Sequence, residues 1–174
     1  MLYKLARMAS GNSTSLKWML NLYPPFVGAG IRIREIAPDF RFCRVELPLT
    51  VFNTNYVGVH FGGSLYSMTD PFYMLLLLNI LGKDYIVWDK AASIEYVRPG
   101  TSKVVAQFEI TDEMLKPIYQ LTPNDKPLVF DWPVNVVDAN TGDLVAKVTK
   151  TEYVRKKPDS SAKDEVEGTI WSKL

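Results

Sequence analysis

The sequence has few of the residues on which many kinds of site depend. Among its 174 residues there is one cysteine, Cys43, so no disulfide can form within the chain, and one histidine, His60. One histidine and scattered carboxylates do not make a ligand set, so we expect no metal site. Cys43 stands in an alternating run typical of a strand, which indicates a small buried residue; a nucleophile there would need His60 as its partner.

Charge of one sign and long apolar runs are also missing. The 20 basic and 19 acidic residues leave a net charge of +1, without the basic excess that neutralises phosphates, so no nucleic-acid partner is expected. The most apolar stretch, residues 72–81, is too short to span a bilayer, which takes about 20 residues. Residues 1–10 are not followed by the apolar run of a signal peptide, so the expected location is the cytoplasm.

The predicted elements follow the order of two strands, one long helix and about four strands. A short helix over about residues 13–23 ends near the Pro24-Pro25 pair, and residues 62–81 predict a helix that is apolar nearly all round in its second half. Period-two alternation and short apolar runs predict the strands, and Pro133 in one of them suggests a bulge or an edge position. The strand runs are 31–34, 40–47, 85–88 with 92–97, 103–110, 128–137 and 144–154, with a short helix possible over 111–121.

A helix that is apolar on all sides must be surrounded by other structure, and one sheet can do this only by curling around it. The expected fold class is therefore α+β: a hotdog fold, in which an antiparallel β-sheet wraps around a long central α-helix. Residues 1–155 are expected to form this single domain. The polar and charged segment 156–174 is expected to be a loosely held tail.

Two glycines at the start of the long helix are candidates for an oxyanion site. Gly62 and Gly63 have no side chains, so a ligand can approach their backbone closely. The first N–H groups of a helix have no partners inside it, which suits a carbonyl oxygen that becomes negative during acyl transfer. The alternative is a tight turn that needs glycine for its conformation only.

Asp70 is the candidate for the reacting carboxylate. It lies seven residues after Gly63, close to two turns, so both are expected on the same face of the predicted helix with Tyr66 and Ser67 between them. Asp70 could act as a general base or as a nucleophile. The alternative is a structural Asp bonded to a neighbouring loop. On a continuous helix the two residues lie about 10 Å apart, too far to contact one carbonyl carbon. Either the substrate bends between them or two subunits share the site.

Three polar residues before the glycines are further candidates. His60 could assist an acid–base step or orient a substrate, or it could simply bond to backbone near the helix start. Asn55 could hold the attacking water or a carbonyl group. Asn53 could do the same or stabilise the loop.

This segment resembles the signature of hotdog-fold thioesterases of the phenylacetyl-CoA thioesterase branch. That signature has an Asn, a His-Gly-Gly six residues later, and a catalytic Asp nine residues after the His; Asn55, Phe61-Gly62-Gly63 and Asp70 match this spacing. A wider stretch is similar to a bacterial domain-of-unknown-function group in the same superfamily. The resemblance covers about residues 15–155 and includes residues 61–66, 69–73 and 96–100.

The resemblance implies roles for individual residues. Asp70 would be the base or nucleophile, the Gly63 N–H would polarise the thioester carbonyl, and Asn55 would position water or substrate. It also implies an acyl-CoA substrate without a further cofactor, and a homodimer, or a larger assembly such as a tetramer, with sites between subunits. Arg98 and Lys103 are candidates for the CoA phosphates. Other expected substrate contacts are Asn53, Phe61, Gly62, Tyr66, Ser67 and Tyr73.

Two departures keep other functions open. Phe61 occupies the His position of the signature, with His60 one residue earlier, and Pro71 would kink the helix directly after Asp70. The first hypothesis is a thioesterase for a medium to long acyl or aryl-acyl group. The second, favoured by Phe61, is a module that binds acyl-CoA or an acyl chain without turnover. The third, suggested by His60-Phe61-Gly62, is a hotdog dehydratase.

Overall fold

The computed structural model describes residues 11–158, which form a six-stranded sheet and five α-helices. The sheet has the order β1-β2-β4-β5-β6-β3 with every neighbouring pair antiparallel, so β1 and β3 are its edges. In chain order the elements are α1 (Ser13–Asn21), α2 (Pro24–Ala29), β1 (Arg32–Ile36), β2 (Phe42–Leu47), α3 (Gly62–Ser67), α4 (Phe72–Leu81), β3 (Tyr85–Tyr96), β4 (Val104–Glu109), α5 (Asp112–Tyr119), β5 (Leu128–Asp138) and β6 (Leu144–Lys156).

Helix α4 lies in the core and carries no charged residue. Phe72 stacks on Phe26 of α2 with ring centroids 5.9 Å apart, and lies 5.0 Å from the ring of Phe108 on β4. Burying one such side chain stabilises the fold by about 2 kcal/mol. The sheet curls around an apolar helix as the sequence predicts. The buried residues of α4 are Phe72, Tyr73, Leu76, Leu77 and Leu81.

The central helical segment is not continuous, contrary to the expectation of one helix over residues 62–81. Helix α3 ends at Ser67 and α4 begins at Phe72, with a cis peptide bond between Asp70 and Pro71. Pro71 has no N–H to continue the hydrogen bonds of the helix. The N–H groups of Thr69 and Asp70 instead donate to the carbonyls of Tyr66 and Ser67, three residues back, in tight turns. The predicted spacing of 10 Å along one helix axis, and the shared helix face, therefore do not apply to Gly63 and Asp70.

Prolines explain one further difference from the expected elements and one agreement with them. Helix α2 begins with Pro24-Pro25, because proline is accepted in the first turn of a helix, where its missing N–H costs nothing. Pro133 lies in a part of β5 that pairs only with β6, since β4 reaches no further along β5 than Val136. The predicted edge position is thus correct for that part of the strand.

Cys43 on β2 is fully buried, as its alternating context predicts. Burial, with a smaller contribution from the charge of Glu35, raises the pKa of the thiol far above its ordinary value, which is the opposite of what a nucleophile needs. Strand β6 continues to Lys156, just beyond the predicted domain end. Most of the predicted tail, residues 159–174, lies outside the described residues, as do residues 1–10.

Candidate active site between the two central helices

Asp70 lies in the break between α3 and α4, where it is not confined to a helix face. Its Oδ1 accepts a hydrogen bond of 2.8 Å from the Nζ atom of Lys150, which is on β6. The side chain of Asp70 is 50% exposed whereas that of Lys150 is 2% exposed. Its second oxygen, Oδ2, accepts no hydrogen bond from residues 11–158. The carboxylate is therefore anchored at one oxygen and open to solvent at the other.

Lys150 connects Asp70 to two further carboxyl groups on the inner face of the sheet. Its Nζ atom lies 2.9 Å from Oδ1 of Asp89 on β3. Glu152 is two residues further along β6, is fully buried, and pairs directly with Asp89 across the two strands. Burial, together with hydrogen bonding to Asp89, raises the pKa of Glu152 to about 9. Asp70, Asp89, Lys150 and Glu152 are called the ionic cluster below.

The charges of the two aspartates keep Lys150 protonated. Burial alone lowers the pKa of a lysine, but hydrogen bonds to Asp70 and Asp89 and their negative charges outweigh it, so the pKa of Lys150 is raised. The attraction between a buried ammonium and two carboxylates offsets part of the free energy that its removal from water costs.

Three members of the ionic cluster, Asp89, Lys150 and Glu152, were not predicted from the sequence. On β6 the alternate residues Ala146, Val148 and Val154 are buried, and Lys150 and Glu152 occupy inward positions of the same series. Charged residues at inward positions of a strand are a signal that could have been used, because such groups persist only when they are paired or functional.

The two candidate glycines begin α3, and no side chain of residues 11–158 caps its start. Their φ angles are not in the left-handed region, so the turn does not require glycine for its conformation. The lack of space is what favours glycine at both positions. A Cβ atom on Gly63 would overlap the ring of Phe61, and one on Gly62 would lie 2.8 Å from Oη of Tyr96. The exposed rings of Phe61 and Tyr96 thus flank the first N–H groups of α3.

His60 is directed towards the loop that follows β3. The side chain is 2% exposed, its Nε2 lies 2.8 Å from the carbonyl oxygen of Ser102, and its backbone N–H donates to the carbonyl of Gly100. Burial lowers the pKa of the imidazole, and the bond to Ser102 opposes this only in part. These contacts match the structural alternative for His60, and they do not provide the exposed acid–base group that a dehydratase would need.

Both candidate asparagines are used by the loop that precedes α3. Asn53 is 2% exposed; its Oδ1 accepts from the N–H of Thr50 and its Nδ2 donates to the carbonyls of Ala29 and Pro48. Its polar groups thus stabilise the loop rather than extend towards a ligand. Asn55 Oδ1 accepts from the N–H groups of two residues of the following turn, Val57 and Val59. Its amide is partly buried and holds that turn closed.

The aromatic and hydroxyl candidates divide between core and surface. Tyr73 is 4% exposed and donates its hydroxyl to the carbonyl of Pro133, and burial is the main cause that raises its pKa to about 12. It is therefore a core residue, not a side chain free to contact a ligand. Tyr66 is half-buried, and Ser67 donates its hydroxyl to the carbonyl of Gly63 within α3.

The two basic candidates already have acidic neighbours. Arg98 forms an ion pair with Asp143, and Lys103 lies 3.7 Å from Glu46. Both basic side chains are nearly half exposed, so a phosphate could still reach them. In residues 11–158 no three His, Cys, Asp or Glu side chains are arranged to hold a metal ion. No helix of the same residues is long and apolar enough to cross a membrane.

An antiparallel sheet curled around one central helical segment defines a hotdog-fold protein, and solved structures of this kind are similar to the chain. One is a probable thioesterase, PA5026 of Pseudomonas aeruginosa, with a TM-score of 0.69 and 16% identity over 82% of this chain and 95% of the other. A second is the thioesterase HI1161 of Haemophilus influenzae, with a TM-score of 0.61 and 18% identity over 83% of this chain and 91% of the other. A third is PaaI of E. coli, from the phenylacetic acid degradation operon, with a TM-score of 0.53 and 16% identity over 87% of this chain and 91% of the other.

At these identities the likeness shows the fold alone. The chain belongs to the family described as domain of unknown function DUF4442, whose model matches residues 11–154. No curated protein matches the sequence. The predicted hotdog fold and the predicted domain-of-unknown-function group are thereby confirmed.

Proposed function

We propose that the chain hydrolyses an acyl-CoA thioester, with Asp70 as general base or nucleophile. The observation that carries this proposal is the position of Asp70 in the helix break. One oxygen is fixed by Lys150, and the half-exposed carboxylate remains open to water or to a carbonyl carbon. A fixed but accessible carboxylate is what either role requires. The matching spacing of Asn55, Gly63 and Asp70 in thioesterases supports the same reaction.

The uncapped N–H of Gly63 is proposed to receive the thioester oxygen. Helix α3 has six residues, so its dipole is small, and the contribution rests on the local N–H groups. The rings of Phe61 and Tyr96 border this position and offer apolar surface to the acyl or aryl part of the substrate. Arg98 and Lys103 are proposed to contact the phosphates of CoA.

We further propose that two copies of the chain form a dimer and share each site. Strand β3 is a sheet edge of 12 residues with exposed Trp88 and Tyr96 side chains. A long free edge pairs readily with another strand, and a second copy would satisfy it. The loop before α3 exposes further apolar side chains, which are Val51, Phe52, Tyr56 and Val57.

Purified protein, an acyl-CoA panel and a thiol-detecting reagent test the activity. We expect thiol release with medium to long acyl or aryl-acyl groups, and a loss of about 100-fold or more in kcat for Asp70→Asn. Asp84→Asn is the matched control, because Asp84 is an exposed Asp just after α4. Unchanged thiol release by Asp70→Asn would remove the proposed mechanism.

Subunit mixing tests whether the site is shared. Asp70→Asn removes the carboxylate, and Gly63→Ala displaces the Phe61 ring that borders the oxyanion N–H. Chains impaired in these two ways would form mixed dimers in which one site has both residues intact. Random mixing of equal amounts then restores roughly a quarter of the wild-type activity. If each chain carries its own complete site, mixing restores nothing.

A binding module without turnover is the second candidate function. Phe61 stands where the thioesterase signature has His, and its ring packs against Gly63. This candidate predicts that an acyl-CoA raises the melting temperature while no thiol is released. Thiol release that depends on Asp70 would exclude it.

A further inference from the structure

In the part of the chain that the structure describes, no cation is left to neutralise Glu152. Within residues 11–158 no group donates a hydrogen bond to either carboxyl oxygen of Glu152, although the side chain is fully buried. Lys150, the ammonium of the ionic cluster, is already in contact with Asp70 and Asp89. A carboxylate buried in this way is costly, whereas a protonated carboxyl can donate to a neighbouring carboxylate.

The neighbouring carboxylate is Asp89, which pairs with Glu152 across β3 and β6. A proton on Glu152 satisfies both groups, because it forms a hydrogen bond where two charges would repel each other. Besides Asp89, three other titratable groups surround Glu152. They are Lys150 on its own strand, Asp70 in the helix break, and Tyr73 on α4, whose hydroxyl donates to the carbonyl of Pro133. On β5 the residue opposite Glu152 is the uncharged Phe130.

We propose that Lys150 and Glu152 are positioning residues for Asp70, with a protonated Glu152 donating to Asp89 so that Lys150 stays shared with Asp70. This inference rests on the proposed thioesterase function and adds a control by pH to it. With the proton in place, the carboxylate of Asp89 has two donors, Lys150 and Glu152, and Lys150 also holds Asp70 against the sheet. When hydroxide removes the proton, Asp89 and Glu152 both attract Lys150, and the ammonium turns from Asp70 towards the sheet.

The consequence for activity is an alkaline limit. We expect kcat of the wild-type protein to fall as Glu152 loses its proton, with little change in KM, because neither Lys150 nor Glu152 is proposed to contact the substrate. In Glu152→Gln the amide still donates to Asp89 and cannot ionise, so the alkaline fall disappears. A fall of the same size and midpoint in Glu152→Gln would overturn the proposal.

Substitutions of Lys150 separate positioning from folding. Lys150→Met leaves Asp70 without its anchor, and a displaced catalytic group costs about 100-fold in kcat. Because this variant also leaves Asp89 without a cation, Lys150→Arg is measured beside it. We expect Arg to restore most of kcat through an ion pair with both aspartates. A folded Lys150→Met with wild-type kcat would overturn the positioning role.

Carboxyl NMR of protein labelled with 13C at Asp and Glu gives a readout that needs no substrate. At neutral pH we expect one Glu signal at the position of a protonated acid, absent from Glu152→Gln. The signal of Asp70, assigned with Asp70→Asn, should shift when Glu152 deprotonates and stay constant in Glu152→Gln. A Glu152 that is ionised at neutral pH overturns the inference. The expected NMR result without thiol release from any acyl-CoA would instead reject the proposed function.

Discussion

Replacing Glu152 by Gln should make the stability of the protein less sensitive to pH. In the folded state, burial and the contact with Asp89 hold the proton up to a pKa of about 9, whereas an ordinary Glu loses it near 4.5. Between these values the unfolded chain binds one proton fewer than the folded chain. The free energy of unfolding therefore falls as pH rises through this window, by about 1.4 kcal/mol per pH unit. Gln has no proton to exchange and removes this slope.

The magnitude follows from one proton and the width of the window. From about pH 5.5 to about pH 8.5, the difference in unfolding free energy between Glu152→Gln and wild type should grow by about 4 kcal/mol in favour of the variant. Other groups cancel in this difference. The lowered pKa of His60 makes stability rise with pH up to the ordinary value of 6.5, but it does so in both proteins. The raised pKa of Lys150 affects stability only above 10.5, outside the window.

Urea unfolding followed by circular dichroism across this pH range measures the slope. Glu109→Gln is the matched control, because Glu109 is an exposed Glu on β4, and it should keep the wild-type slope. A constant difference between Glu152→Gln and wild type would mean that Glu152 is ionised in the folded protein. Such a result would refute a protonated Glu152 in the folded protein.

Two further substitutions test the packing around the site. Gly63→Ala should change the unfolding free energy by no more than about 1 kcal/mol, because the ring of Phe61 that its methyl group would meet is 56% exposed and can turn away. A loss above about 3 kcal/mol would mean that the ring is fixed, and would contradict this packing. Leu77→Ala, at a fully buried position of α4, should cost about 3 kcal/mol in urea unfolding, and a cost below about 1 kcal/mol would place α4 outside the core.

The fold could be predicted because its main signals are local. Alternating residues such as Val104, Ala106 and Phe108 define a strand with one buried face, and the apolar run of α4 requires a surrounding sheet. The break between α3 and α4 was predicted only as a kink. Pro71 removes one hydrogen bond, but whether a helix then bends or ends depends on what the neighbouring elements offer.

The site could be predicted only in part. The spacing from Asn55 to Asp70 singled out the carboxylate, since such a motif lies within one segment of the chain. Lys150, Asp89 and Glu152 come from two strands that pair across about 60 residues of sequence, and no local pattern shows that they meet. His60 and Asn53 were proposed for their chemistry, while their hydrogen bonds to loop backbone depend on a fold that a sequence motif does not contain.

A crystal structure of Asp70→Asn with a bound acyl-CoA tests the central claim most directly. The proposal predicts the thioester carbon beside residue 70 of one copy, and the carbonyl oxygen within hydrogen-bond distance, about 3 Å, of the Gly63 N–H of its partner. A thioester bound away from both residues, or contacts from only one chain, would contradict it.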